Sequence, residues 1–189
     1  LSYYIAPTEE EVEAYFTEHE SDYAETGITR GSGKLVEDEY AKKNLAGATE
    51  AGLPIGAYFF SQALSMDEAD QEIEYMLGIL GDYRLDMPII LDWEIPASDA
   101  RTANMDARTL TDIQLYFCEK MKGLGYQPMV YFNWHQSENL YYLSELEDFP
   151  FWLALYQDRM RYPWKVEMWQ YTCTGRVPGI NGDVDINVY

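Results

Sequence analysis

Apolar residues along this chain recur at two-residue spacing in some stretches and at three-to-four-residue spacing in others, and each change of period marks a change of element. Residues 35–51 read as a helix, with Gly52 and Pro54 as stop signals. Residues 54–61 read as a strand with Ala57, Phe59 and Ser61 on one face and Tyr58 and Phe60 on the other. Ser65 then caps a helix, with Glu68 completing a capping box and Ala69, Ile73, Met76, Leu77 and Leu80 as its apolar stripe, ended by Gly81. Residues 87–93 are a strand, followed by a long polar loop over 95–107. Thr109 or Thr111 opens the next helix, whose Ile113, Leu115, Tyr116, Phe117, Met121 and Leu124 form an apolar side before Gly125. A strand over 127–133, a short helix over 138–146 and a strand over 151–156 complete a βαβαβαβ order, which predicts an α/β fold with a largely parallel sheet.

Beyond residue 156 the helical period disappears. Residues 166–172 and 184–189 read as strands joined by connections that Gly175, Pro178, Gly179 and Gly182 keep free of helix. At the amino end, residues 1–7 make a strand without an acid, residues 8–20 an acidic amphipathic helix, and residues 26–30 at most a short strand.

Composition narrows the chemistry. A length of 189 residues with 47% hydrophobic and 15% aromatic content is ample for one packed domain, read here as spanning 1–189. No apolar run of about 18 residues exists, and the amino end lacks the basic-then-apolar layout of a signal peptide. A start at Leu1 suggests a processed, trimmed or incompletely represented product. Thirty-three acids against thirteen bases give a net charge of −20, which repels nucleic acid and anionic membrane surfaces, so neither is expected as a partner. The acids fall largely on predicted helix surfaces and read as solvated faces. Cys118, in a predicted helix, and Cys173, at a predicted strand end, define no disulfide framework and are expected to be reduced. With His19 and His135 alone, a three-histidine zinc site is impossible, and no Cys-x-x-Cys or His-Glu-x-x-His spacing occurs. Gly31-Ser32-Gly33-Lys34 has neither the length nor the flanks of a phosphate loop. No metal or cofactor is therefore expected, and the chemistry falls to carboxylates and aromatics.

The sharpest signal is Pro88-Ile89-Ile90-Leu91-Asp92-Trp93-Glu94, an apolar strand that ends in two acids. Residues i and i+2 of a strand share a face, so Asp92 and Glu94 project together about 7 Å apart at their bases. In parallel sheets, active sites lie at the strands' carboxyl ends, where these two acids fall. Taken locally, the same pattern also describes a buried strand meeting solvent with two ordinary acids. Tyr58, Phe60, Tyr131, Trp134, Trp152, Tyr156, Trp169 and Tyr171 lie in or just after predicted strands, accompanied by the amides of Gln62, Asn133 and Gln170. Any one of these rings could be core. Together, aromatic faces and planar amides beside a carboxylate pair suit a carbohydrate, whose C–H faces pack on rings and whose hydroxyls seek planar acceptors.

These segments resemble glycoside hydrolase family 25, the bacterial and phage muramidases also called Chalaropsis-type lysozymes. The resemblance rests on Gly56-Ala57-Tyr58-Phe59-Phe60-Ser61-Gln62, Leu91-Asp92-Trp93-Glu94, Met129-Val130-Tyr131, Trp152-Leu153-Ala154-Leu155-Tyr156, Met168-Trp169-Gln170-Tyr171-Thr172 and Val184-Asp185-Ile186-Asn187. They stand in the family's order and cover about residues 30–189. The resemblance implies an irregular TIM-like β/α barrel with helix-less closing strands. It implies cleavage of the β-1,4 bond between N-acetylmuramic acid and N-acetylglucosamine in peptidoglycan, with glycan strands as partner and an extracellular or cell-wall location. It also implies Glu94 as general acid, Asp92 as its partner on the strand and Asp185 as the acid of the last strand. Tyr58, Phe60, Tyr131, Asn133, Trp152, Tyr156 and Gln170 are then expected to bind substrate.

The amino end departs from the family, which opens with a Gly-Ile-Asp-Val-Ser-like strand whose aspartate joins the site. Residues 1–29 are a divergent or truncated counterpart. A barrel incomplete at its amino end exposes open edges, which predicts a homodimer or strand exchange. Loss of one acid weakens the site's electrostatics, so a non-catalytic or weakly active saccharide-binding relative is the alternative reading.

Overall fold

The computed structural model describes residues 25–29, 31–177 and 182–189. The strand and helix expected over 1–20 lie outside them. Eight strands form one sheet in the order β2-β1-β3-β4-β5-β6-β7-β8. They are β1 (Glu25–Thr29), β2 (Leu35–Glu37), β3 (Ala57–Ser61), β4 (Ile89–Trp93), β5 (Pro128–Asn133), β6 (Phe151–Ala154), β7 (Met168–Gly175) and β8 (Val184–Val188). The run from β1 through β3 to β7 is parallel, while β2 and β8 pair antiparallel with β1 and β7. The sheet curls into an irregular, incomplete TIM-like barrel. Helices follow β2 to β5, and the antiparallel pair of β7 and β8 makes the far side.

Four helices are described: α1 (Ala41–Ala51), α2 (Met66–Leu80), α3 (Ala107–Gly123) and α4 (Trp134–Asn139). The expected helix over 35–51 is divided. Residues 35–37 extend as β2 against β1, and α1 begins only at Ala41. Leu35 and Val36 are β-compatible apolar residues, and pairing with β1 overrides the local helical pattern. At the other end of α1, Gly52 adopts φ 69°, and its N–H and that of Leu53 reach back to carbonyls of the last turn. The capping box at Ser65 is half formed: Ser65 accepts from the Glu68 N–H, whereas Glu68 reaches past it to the Leu64 N–H and to Arg101. Asp106, earlier than the two threonines expected, caps α3 by accepting from the Thr109 N–H. The short helix expected over 138–146 is α4, which starts at Trp134, followed by a 3-10 turn at Leu143–Glu145. Cys173 lies inside β7 and not at its end.

Strand alternation sorts the core into two. Phe59, Ile89, Leu91, Trp93, Val130, Phe132 and Leu153 face outward into one large cluster with Leu45, Ile73, Met76, Leu80, Leu110, Ile113, Phe117 and Met121 from the helices. Residues of opposite parity, Ile90, Met129, Tyr131, Ala154 and Met168, fill a smaller inner cluster with Tyr58, Met87 and Trp152 against it. The inner cluster plugs the barrel from below. The same inward parity continues beyond it to the strands' carboxyl ends, where Asp92 and Glu94 stand.

Candidate active site

Continuing the inward parity of Ile90 along β4 places Asp92 and Glu94 directly above the inner cluster, both half-buried. The register sets Phe60 beside Asp92 on one side. On the other, Tyr131 lies two residues beyond Met129, which pairs with Ile90. Tyr131 leans forward, and its hydroxyl donates to Glu94 Oε1 at 2.9 Å. Burial raises the Glu94 pKa and the negative charge of Asp185 raises it further, while the bond from Tyr131 opposes both. Burial, with the charges of Asp92 and Glu94, pushes the Tyr131 phenol far above its ordinary range, so it remains a hydrogen-bond donor at any working pH. Asp92 and Glu94 thus share the inner face at the carboxyl end of β4, and Asp185, exposed on β8, is near enough for its charge to act on Glu94.

The remaining expected residues take different positions. Trp152 stands edge-on to Tyr131, their ring centroids 4.8 Å apart, and its indole N–H donates to Asn187 Oδ1 of β8 at 2.9 Å. Tyr156 is exposed at the mouth, and its hydroxyl donates to Gln170 Oε1 at 2.9 Å, with Gln170 itself buried. Partial burial first, then Cys173, Asp185 and Glu94, raise the Tyr156 phenol, which places the Cys173 thiol at the same mouth. Tyr58 sits lower, against the inner cluster, with Phe60 one step above it on the same face. Asn133 is engaged elsewhere: it caps α4 by accepting from the Gln136 N–H at 3.0 Å, while Gln136 Oε1 accepts from the Asn133 N–H at 2.8 Å. A cleft of about 1050 Å³ opens beside the site and reaches it only through Tyr156. Its other lining residues include Trp169, Tyr171, Ile186 and Val188, whose strand parity is opposite to that of Gln170 and Asn187.

Three side chains that sequence reasoning passed over hold the acid strand in place. Thr102, fully buried in the loop after β4, donates its hydroxyl to the Glu94 carbonyl at 3.0 Å. Gln114 of α3 donates to the Leu91 carbonyl at 2.9 Å and to the Tyr141 hydroxyl at 3.3 Å. Gln136 of α4 donates to the Trp93 carbonyl at 2.7 Å. Gln114 had a visible signal, a carboxamide within the apolar face of a helix beside Leu110, Ile113, Phe117 and Cys118. Gln136 had one as well, since Asn133-x-x-Gln136 is a capping box that moves the helix start forward.

Comparison with known proteins places this arrangement. The model of Glycosyl hydrolases family 25 matches residues 16–180. The uncharacterized protein YegX of Escherichia coli strain K12 is 29% identical over 171 residues, covering 86% of this chain and 57% of YegX. The chain thus spans little more than half the length of the curated relatives it matches. Among solved structures, the modular autolysin LytC from Streptococcus pneumoniae superposes with a TM-score of 0.72 at 22% identity, covering 86% of this chain and 39% of LytC. The Clostridium perfringens spore cortex lytic enzyme SleM superposes with a TM-score of 0.68 at 24% identity, covering 87% of this chain and 58% of SleM. These two likenesses establish the shared fold, and the family match runs over most of the sequence: the chain belongs to glycosyl hydrolases family 25.

Proposed function

We propose that this chain is a peptidoglycan muramidase that cleaves the β-1,4 bond between N-acetylmuramic acid and N-acetylglucosamine, with Glu94 as general acid, acting at the cell wall. The observation that carries the reading is the environment of Glu94. Hydrolysis of a glycoside needs one carboxyl protonated to meet the leaving oxygen and another ionised to face the positive charge growing on the ring. Burial and Asp185 favour the protonated form of Glu94, and the Tyr131 hydroxyl fixes its orientation. Asp92, two residues earlier on the same face, is the carboxyl assigned to face that positive charge. The substrate's own acetamido oxygen attacks the anomeric carbon as Glu94 gives its proton to the departing oxygen, and Asp92 or Asp185 stabilises the cyclic intermediate. Water then opens that intermediate, returning a proton to Glu94 and retaining the anomeric configuration.

Phe60, Trp152 and Tyr156 offer ring faces to the sugars, and Gln170 an amide. LytC has also been solved in complex with a synthetic peptidoglycan ligand, which supports peptidoglycan as the substrate class. The test is release of new reducing ends from purified cell walls, compared with Glu94→Gln. Turnover that the substitution reduces by at least about a thousandfold supports the assignment. Undiminished turnover by Glu94→Gln overturns it, and inversion of configuration in the first-formed product excludes the acetamido route. Saccharide binding without new reducing ends would identify a binding relative instead.

A further inference from the structure

β4 and β5 are paired only at their beginnings, and the place where they part is where the acids stand. The ladder runs from Ile89 with Pro128 to Ile90 with Met129 and then stops, although β4 continues to Trp93 and β5 to Asn133. On the other side, β4 stays paired with β3 along its whole length, from Ala57 with Ile89 to Ser61 with Trp93. In a parallel strand, successive residues turn their N–H and C=O to opposite neighbours. Ile89 faces β5, its N–H donating to the Gln127 carbonyl at 2.9 Å. Leu91 and Trp93 have the same parity, and their carbonyls would ordinarily be met by β5. They are met by Gln114 Nε2 and Gln136 Nε2.

Both carboxamides are buried, Gln114 fully, and they come from different helices outside the sheet. They act as a wedge. Each supplies the hydrogen bond that strand pairing would have supplied, which removes the penalty of two buried unsatisfied carbonyls and lets the strands diverge. Across that divergence the Tyr131 hydroxyl meets Glu94 Oε1. Gln136 also accepts from the Asn133 N–H, so α4 and the end of β5 are fixed to β4 through one side chain.

We propose that Gln114 and Gln136 are positioning residues that hold β4 and β5 apart at their carboxyl ends and thereby set the contact between Glu94 and Tyr131. The inference rests on Glu94 being the acid of the proposed muramidase. Neither glutamine touches substrate: each acts on the acid through the backbone of its own strand.

The experiment is a titration of the Glu94 carboxyl by ¹³C NMR in the full chain, carried out for the wild type, Gln114→Met, Gln136→Met, Tyr131→Phe and Gln136→Met with Tyr131→Phe. Methionine keeps the length of glutamine and donates nothing. Loss of the Tyr131 bond removes the influence that lowers the Glu94 pKa, so Tyr131→Phe moves the titration upward. Each methionine variant is expected to move it in the same direction. The double variant is expected to titrate with Tyr131→Phe alone, since both changes remove one contact. A Glu94 titration left at the wild-type position in both methionine variants while Tm falls overturns the proposal, and so does a double variant whose shift is the sum of the two single ones. If one methionine variant does not fold, the other decides. The readout needs no turnover, so a wild type that cleaves no glycan would refute the muramidase reading without touching this measurement. On wall substrate, the positioning role predicts a fall in kcat of about tenfold with KM held within about threefold.

Discussion

Glu94 is held between opposing influences. Its pKa is raised by burial and by Asp185, and checked by the phenol of Tyr131, so the protonated carboxyl persists to higher pH in the folded chain than in the unfolded one. A carboxyl of this kind favours the fold below its ordinary pKa and loses that contribution as pH rises through the raised value, where an anion must be held in a half-buried place. Glu94→Gln, which removes the anion and keeps the shape, should therefore raise Tm by on the order of a few degrees at about pH 7 and by almost nothing at about pH 4, measured by thermal melts across that range. A lower Tm at neutral pH would show the glutamate anion to be well solvated or well paired, contrary to the burial that dominates its environment. Tyr131→Phe keeps the ring that meets Trp152 and removes the donor. The upper limb of its rate profile should move to higher pH, and kcat should fall roughly 10- to 100-fold as the acid loses its fixed orientation. A phenol that only packed would leave the limb in place.

At the scale of elements, what could be read in advance was whatever alternates along the chain. The faces of β3 and the run of Ile89, Ile90 and Leu91 into Asp92 and Glu94 follow from period two, and so does the placing of both acids on the inner face. What could not be read depends on partners distant in sequence. The extension of residues 35–37 as β2 is set by β1, and the parting of β4 from β5 is set by two helix side chains whose targets are backbone carbonyls 23 and 43 residues away in sequence. The closing hairpin was legible as two strands, but its bends were not. Register shifts interrupt the pairing of β7 with β8 between Gln170 and Thr172 and again between Thr172 and Gly175. Gly175 permits the second. A Cβ there would lie 2.3 Å from Ile186 Cγ1 and 2.8 Å from the Val184 carbonyl oxygen. Gly175→Ala should then cost about 1–3 kcal/mol through overpacking. Because Asp185 and Asn187 ride on the displaced strand, KM on wall substrate should rise along with the loss in Tm. A stable hairpin with unchanged KM would show that β8 yields without moving those two side chains.

For the whole molecule, the dominant quantity is a net charge of −20 on 189 residues. That figure already counts every base, including those paired as Arg101 with Glu68 and Arg108 with Asp112 and Glu145. Sequence made that imbalance plain and disfavours nucleic acid as a partner, yet it also sets the chain against its own proposed substrate, whose stem peptides and peptide-free muramic acid units carry carboxylates. Long-range repulsion between two polyanions acts before contact and is screened by salt, with a Debye length of about 10 Å at 0.1 M. The chemistry at Glu94 is different, because Glu94 is half-buried and bonded to the buried Tyr131, a short-range contact that responds weakly to added ions. Raising salt from about 0.01 M to about 0.15 M should therefore lower KM on insoluble wall several-fold while kcat stays nearly constant. Initial rates of reducing-end release at fixed pH, with an uncharged osmolyte as control, separate the two quantities. A KM that climbs with salt would mean that the wall is drawn to a locally positive face, and a falling kcat would mean that the charges around Glu94 are open to solvent.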